Sequence, residues 1–155
     1  MANVRVKPVG RLAFMLTRAA VILLGCVLSL SGQSGEKPTL YLIGDSTVKN
    51  GQGTGTDKQW GWGEPIVDLF DQSKIQVKNR AHGGTSSRTY MNNGDWEKVL
   101  AVLKPGDFVI MQFGHNDGAP LDDASRARGT IKGIGEESKE IDNPITKKHE
   151  VVHTY

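Results

Sequence analysis

Three short apolar runs recur between Thr39 and Phe113, and each is cut off by a glycine-bearing turn. The first, Thr39 to Ile43, stops at Gly44-Asp45-Ser46; the second, Lys74 to Asn79, leads to His82-Gly83-Gly84; the third, Asp107 to Phe113, ends at Gly114-His115-Asn116-Asp117. The second run alternates and points Ile75 and Val77 toward a core. The third is continuous, as expected for a strand covered on both faces. Between the runs lie helical patterns. Glu64 to Phe70 has Pro65 in its first turn and Ile66, Leu69 and Phe70 as an inward stripe. A second helix opens at Asn93-Gly94-Asp95, gathers Trp96, Val99, Leu100 and Leu103 on one face, and ends at Lys104-Pro-Gly-Asp107. This alternation predicts an α/β fold with a parallel sheet and right-handed crossovers. Parallel order then brings all three turns to one edge of the sheet, where open α/β sheets hold their ligands.

The rest of the chain sets bounds. Its 155 residues suffice for one domain, and a formal charge of +2 gives no reason to expect nucleic acid as a partner. Arg5, Lys7, Arg11 and Arg18 precede an apolar stretch from Ala19 to Leu30, with no acidic residue before Glu36. A basic front and a short apolar segment read as a signal peptide over 1–31, so that the mature form is secreted or periplasmic and carries no membrane span. Leu23-Leu-Gly-Cys26 offers a second reading, a lipoprotein anchored through Cys26. Residues 32–38 form a polar lead-in, and Lys49 to Lys58 is a loop. From Gly118 to Lys148 no apolar period survives, and Lys147 to Tyr155 looks like a helix just starting.

The turn residues suggest a chemistry. Ser46, just past a strand end, is a candidate nucleophile. Its own N–H, the N–H of side-chain-free Gly84 and the side-chain amide of Asn116 could together hold a developing oxyanion. Trp60, Trp62 and Tyr90 are candidate platforms for sugar rings. His82 and His115 flank the donors and read as loop-orienting or substrate-touching residues, or as a base.

Gly44-Asp-Ser46, Gly84 and Gly114-x-Asn116 resemble the first three sequence blocks of the SGNH (GDSL) hydrolases. Leu42 to Thr47, Gly61-Trp-Gly-Glu64, Ala81 to Arg88 and Phe113 to Gly118 resemble the rhamnogalacturonan acetylesterase branch, so the likeness covers about Thr39 to Gly118. The resemblance implies a flavodoxin-like three-layer α/β/α fold over residues 39–155, with its C-terminal part missing from this chain. It implies Ser46 as nucleophile, Gly84 N–H and Asn116 as oxyanion donors, and Trp62, His115 and Asp117 as substrate contacts. The substrate would be an acetylated plant cell-wall polysaccharide or oligosaccharide, pectic in kind, with no metal and no cofactor.

The family's fourth block, Asp-x-x-His, supplies the base and its carboxylate, and no Asp in this sequence has a His three residues on. Glu150-Val-Val-His153 imitates it and, on a helix, would set both groups on one face. The expectation is therefore a weakly active or inactive fragment. A non-catalytic carbohydrate-binding remnant is the alternative, and a metallophosphoesterase a more distant one, because its His and Asn stand here in reversed order.

Overall fold

The computed structural model of the protein describes residues 35–55 and 58–154. The expected signal peptide 1–31 with Cys26, residues 32–34 of the lead-in, Thr56, Asp57 and Tyr155 lie outside the described residues.

Strand β1 (Thr39–Gly44) is buried along its whole length because it is the central strand. Strands β2 (Gln76–Asn79) and β3 (Phe108–Gln112) flank it, both parallel to it, in the order β2-β1-β3. Leu40 pairs with Val77 and Phe108, and Leu42 with Asn79 and Ile110. Alternation along β1 makes two cores from one strand. Leu40 and Leu42 meet Val48 and Ala81, with Trp62, Ile66, Phe70, Ile75 and Val77 around them. Tyr41 and Ile43 meet Tyr90 and Val99, with Trp96, Val109 and Phe113 around them. Each fully buried leucine or isoleucine here contributes roughly 2 kcal/mol by leaving water. The expected parallel α/β sheet is therefore present.

The helices depart from expectation in detail. Pro65–Leu69 winds as a 3-10 helix rather than an α-helix, with Pro in its first turn. Phe70 then leaves in an extended conformation and packs inward, while Leu69, expected in the buried stripe, is 82% exposed. On the other side of the sheet lie α1 (Ser87–Asn92) and α2 (Asp95–Leu100). Helix α1 falls between the Gly83-Gly84 turn and the helix expected from Asn93, where no element was expected. Ser86 starts it with a capping box, its side chain accepting from Thr89 N while Thr89 Oγ1 accepts from Ser86 N. In α2, Trp96 and Val99 pack on Tyr41 and Ile43, whereas Leu100 and Leu103 remain substantially exposed.

Two further expectations are corrected. Strand β3 is not covered on both faces among the described residues: Phe108, Ile110 and Met111 are exposed, because β3 is an edge strand here. The segment after Lys147 is not a helix. Strands β4 (Ser138–Asp142) and β5 (His149–His153) form an antiparallel hairpin, with Glu140 opposite Val151 and Asp142 opposite His149. Adjacent valines favour an extended chain, and Asn143 builds the turn by accepting from the N–H groups of Ile145 and Thr146, each at 2.9 Å.

An ion pair joins the hairpin to α1. Arg88 is 7% exposed and donates to Glu150 Oε1, while Asn92 and Asn143 donate to the same carboxylate. Burial pushes the Glu150 carboxyl up, but the hydrogen bond from Arg88, then that from Asn92 and the Arg88 charge, outweigh it and hold the group below its ordinary value of 4.5. A carboxylate depressed on folding contributes stability that is complete above its unfolded pKa and lost as pH falls through the folded one. Urea midpoints of the protein should therefore fall as pH drops below about 4.3, and Glu150→Gln should flatten that slope. Arg88→Met, which strands the carboxylate, should cost about 3 kcal/mol at neutral pH. The open face of β3 makes a separate prediction: the protein should bind a hydrophobic dye and self-associate, and Met111→Lys should reduce both while moving the urea midpoint by less than about 0.5 kcal/mol.

Candidate active site

At the carboxyl end of β1, Gly44 passes where no side chain would fit: a Cβ there would lie 2.4 Å from Gln112 O and 2.5 Å from Val48 Cγ2. The chain then turns. Asp45 O accepts from Val48 N (3.1 Å) and Lys49 N (3.0 Å), and Asp45 Oδ1 accepts from Thr47 N at 2.8 Å. Asp45 is buried and Ser46, at the outer corner, is half-buried. The Asp45 Oδ2 and Thr47 Oγ1 atoms are enclosed without a hydrogen-bond partner among the described residues. Unsatisfied polar atoms of this kind gather at functional sites.

The second turn is stitched to the first. His82 N donates to Gly44 O at 2.9 Å, extending the parallel pairing past β2 to the sheet edge. Gly83 faces Ser46: a Cβ on Gly83 would be 3.8 Å from the Ser46 Cβ. Thr85 N and Oγ1 both donate to His82 O, at 3.3 and 2.7 Å, which closes the turn around Gly84. Gly84 itself has φ +84°, a conformation a side chain would strain.

The third turn reaches the second through Asn116. Its Nδ2 donates to Thr85 O at 2.7 Å and its Oδ1 accepts from Arg128 Nη1 at 2.6 Å. Both amide ends are thereby oriented, and one Nδ2 hydrogen remains for another acceptor. Asp117 fixes the turn. It is fully enclosed; its Oδ2 accepts from Gly114 N at 2.9 Å and its Oδ1 from Ser87 N at 2.9 Å and from Ser87 Oγ. The three strand ends thus meet as the sequence suggests. The Ser46 turn touches the Gly83-Gly84 turn, which is bonded to Asn116.

Other candidates fall elsewhere. Asp117 cannot contact substrate: both its oxygens are engaged and it has no surface, so it braces the site. Tyr90 is no sugar platform, since it is buried, tilted against Phe113 at 5.3 Å between centroids, with its hydroxyl donating to Arg80 O at 2.8 Å. Burial, then the charge of Asp95, pushes that hydroxyl up to about 12. Trp62 packs on the Leu40 and Leu42 core and donates its indole N–H to Gln112, which leaves it half-buried. Trp60 and His115 are exposed. Glu150 and His153 do not pair: three residues apart on β5 they point to opposite faces, and Glu150 is taken by Arg88.

The sequence reading missed Asp95. Its Oδ2 lies 2.6 Å from His82 Nδ1 and its Oδ1 accepts from Lys98 at 2.7 Å. Burial pushes the Asp95 carboxyl up, but hydrogen bonds from Lys98 and His82 prevail and hold it below the usual range. Only the acidic residue opening α2 hinted at this partner. Arg128 was missed too, because no motif marked it. Among the described residues no three His, Cys, Asp or Glu side chains gather closely enough to hold a metal ion, and no helix is long and apolar enough to cross a membrane.

With this geometry in place, comparison with known proteins is decisive for the family. The profile described as GDSL-like Lipase/Acylhydrolase matches residues 40–150. The chain belongs to this family. It is 39% identical over 101 residues to an uncharacterized esterase, YxiM, of Bacillus subtilis, covering 65% of this chain and 26% of that protein. It is 36% identical over 102 residues to a rhamnogalacturonan acetylesterase of Emericella nidulans, covering 66% and 37%. A probable rhamnogalacturonan acetylesterase of B. subtilis, YesY, is 44% identical over 78 residues, covering 50% and 35%. The crystal structure of the B. subtilis YxiM protein superposes with a TM-score of 0.51 at 39% identity, covering 58% of this chain and 25% of that one. The chain thus spans between about a quarter and two fifths of the length of these curated relatives.

The Asp117 brace yields a prediction. Asp117→Ala would leave the Gly114 and Ser87 donors buried without acceptors and should lower stability by about 3 kcal/mol in urea unfolding. The substitution Asp122→Ala, on an exposed residue of the neighbouring loop, should stay within about 0.5 kcal/mol of the parent.

Proposed function

We propose that this protein is part of a serine esterase that removes acetyl groups from a plant cell-wall polysaccharide, pectic in kind, acting outside the cytoplasm after export through residues 1–31. The observation that carries the esterase reading is the junction of three turns. Ser46 is half-buried, Gly83 of the Gly84 turn lies against it, and the oriented Asn116 amide keeps a free hydrogen. Ser46 Oγ would attack the ester carbonyl, and the Ser46 N–H, Gly84 N–H and Asn116 Nδ2 would share the charge on the carbonyl oxygen. The saccharide rests on the names of the two acetylesterase relatives. Export rests on the basic front and apolar stretch.

No Asp-x-x-His occurs in the sequence, and Glu150 and His153 diverge, so Ser46 lacks an evident proton acceptor among the described residues. Turnover by this chain is therefore expected to be slow. That same observation favours a second reading, in which the cleft binds an acetylated saccharide without hydrolysing it. A fluorophosphonate probe separates the two. Slow labelling is expected, with the adduct on Ser46 by mass spectrometry, abolished by Ser46→Ala and slowed about 10²-fold by Asn116→Ala. Labelling that ignores both substitutions would remove the esterase reading, and no labelling together with saccharide binding would support the second.

A further inference from the structure

We propose that Arg128 is a positioning residue for ester hydrolysis: its guanidinium sets the Asn116 amide with its NH₂ toward the ester oxygen and strengthens those N–H donors. The inference rests on the esterase reading above, in which Asn116 is an oxyanion donor.

The two partners of the Asn116 amide leave it a single orientation. Thr85 O can only accept, and it takes Asn116 Nδ2 at 2.7 Å. The Arg128 guanidinium can only donate, and its Nη1 meets Asn116 Oδ1 at 2.6 Å. Turning the amide over would set donor against donor and oxygen against oxygen. Asn116 is 9% exposed, so water has little access to repair either mismatch. The charge has a second effect. A cation on the amide oxygen draws electrons from the nitrogen, raises the double-bond character of C–N and makes the Nδ2 hydrogens stronger donors.

The loop that carries Arg128 is fixed to the same turn. Thr130 N and Oγ1 donate to Asp117 O, next to Asn116, at 3.0 and 3.1 Å. Gly129 O accepts from Arg88 Nη1 at 2.8 Å, and a Cβ on Gly129 would lie 2.3 Å from Ala119 O. Ala127 is buried with φ +51°, a backbone that persists only where its surroundings enforce it. Arg128 Nε is enclosed without a hydrogen-bond partner among the described residues. The desolvation cost of that atom offsets much of what the bond to Asn116 contributes to stability, so stability alone does not account for the arginine.

The test reads the Asn116 side-chain amide by proton–nitrogen NMR, its signal assigned by its loss in Asn116→Ala. Arg128→Gln should speed interchange of the two Nδ2 protons about tenfold and move the amide nitrogen upfield. Arg128→Lys, which keeps a cation but not the fork, should change the interchange only about threefold. Lys132→Gln, on an exposed cation, should change neither reading. Backbone signals of Gly114 and Ser87 should stay in place throughout. Fluorophosphonate labelling of Ser46 should slow about tenfold with Arg128→Gln, yet the same substitution should add nothing in an Asn116→Ala background. The proposal is overturned if neither Arg128 variant moves the amide from the parent, or if labelling slows equally with and without Asn116. A parent that leaves Ser46 unlabelled while its amide answers to Arg128 removes the esterase reading and keeps the orienting bond. Labelling of Ser46 that ignores Arg128 does the reverse.

Discussion

The Asp117 carboxylate is the contact on which the rest of the site depends. It lies at the end of β3, fully enclosed, and draws together Gly114 N of its own turn with Ser87 N and Oγ at the start of α1. Tying β3 to α1 carries Asn116 to Thr85, and Thr85 is the neighbour of Gly84. Without it the third turn has no reason to meet the second. An enclosed carboxylate costs much in desolvation and is tolerated because each of its bonds replaces a water. Its function is thus carried through geometry, and a solvent-facing acid at this position could not supply that.

A buried arginine plays the complementary part on the outer side. Arg88 projects from the same helix that Asp117 caps and holds two loop carbonyls and the Glu150 carboxylate at once. The long polar segment after Gly118 is thereby folded back over α1, and the hairpin β4–β5 is fastened behind it. Asp117 and Arg88 together make α1, six residues long, the place where sheet, loop and hairpin join. A helix this short is marginal alone, so its persistence comes from these tertiary bonds and the Ser86–Thr89 capping box.

Much of this was legible in the sequence, for identifiable reasons. The three strands announce themselves because β1 is buried on both faces and β2 shows a period of two, and the glycine turns mark where each strand must stop. Parallel order then follows, and with it the approach of Gly83 to Ser46 and of Asn116 to Thr85. What the sequence hid depends on tertiary partners. Asp117 reads as a substrate-facing acid until Ser87 is seen to occupy it. Tyr90 reads as a platform until Phe113 and Arg80 enclose it. The hairpin β4–β5 was missed because its strands are polar on their outer side, with only Val152 fully buried, so no apolar period shows. Strand β3 misled in the opposite direction: its continuous apolar run is real, but the described chain covers only part of it.

Among the described residues, the carboxylate–imidazole pair near the site bears on how the serine would work. Asp95 grips His82 by Nδ1, as an orienting acid would in a hydrolase, and would leave Nε2 free. Yet Gly83, the next residue, is the one whose face meets Ser46, while the His82 ring is drawn to the opening of α2. Lys98 also takes the other Asp95 oxygen, so the acid's charge is already partly compensated. A pair so placed steadies the backbone of the Gly84 turn, since His82 N and O are bonded to Gly44 and Thr85. Asp95 and His82 therefore hold the loop that carries Gly84, the proposed oxyanion donor, and Ser46 as the proposed nucleophile would need a proton acceptor other than this pair.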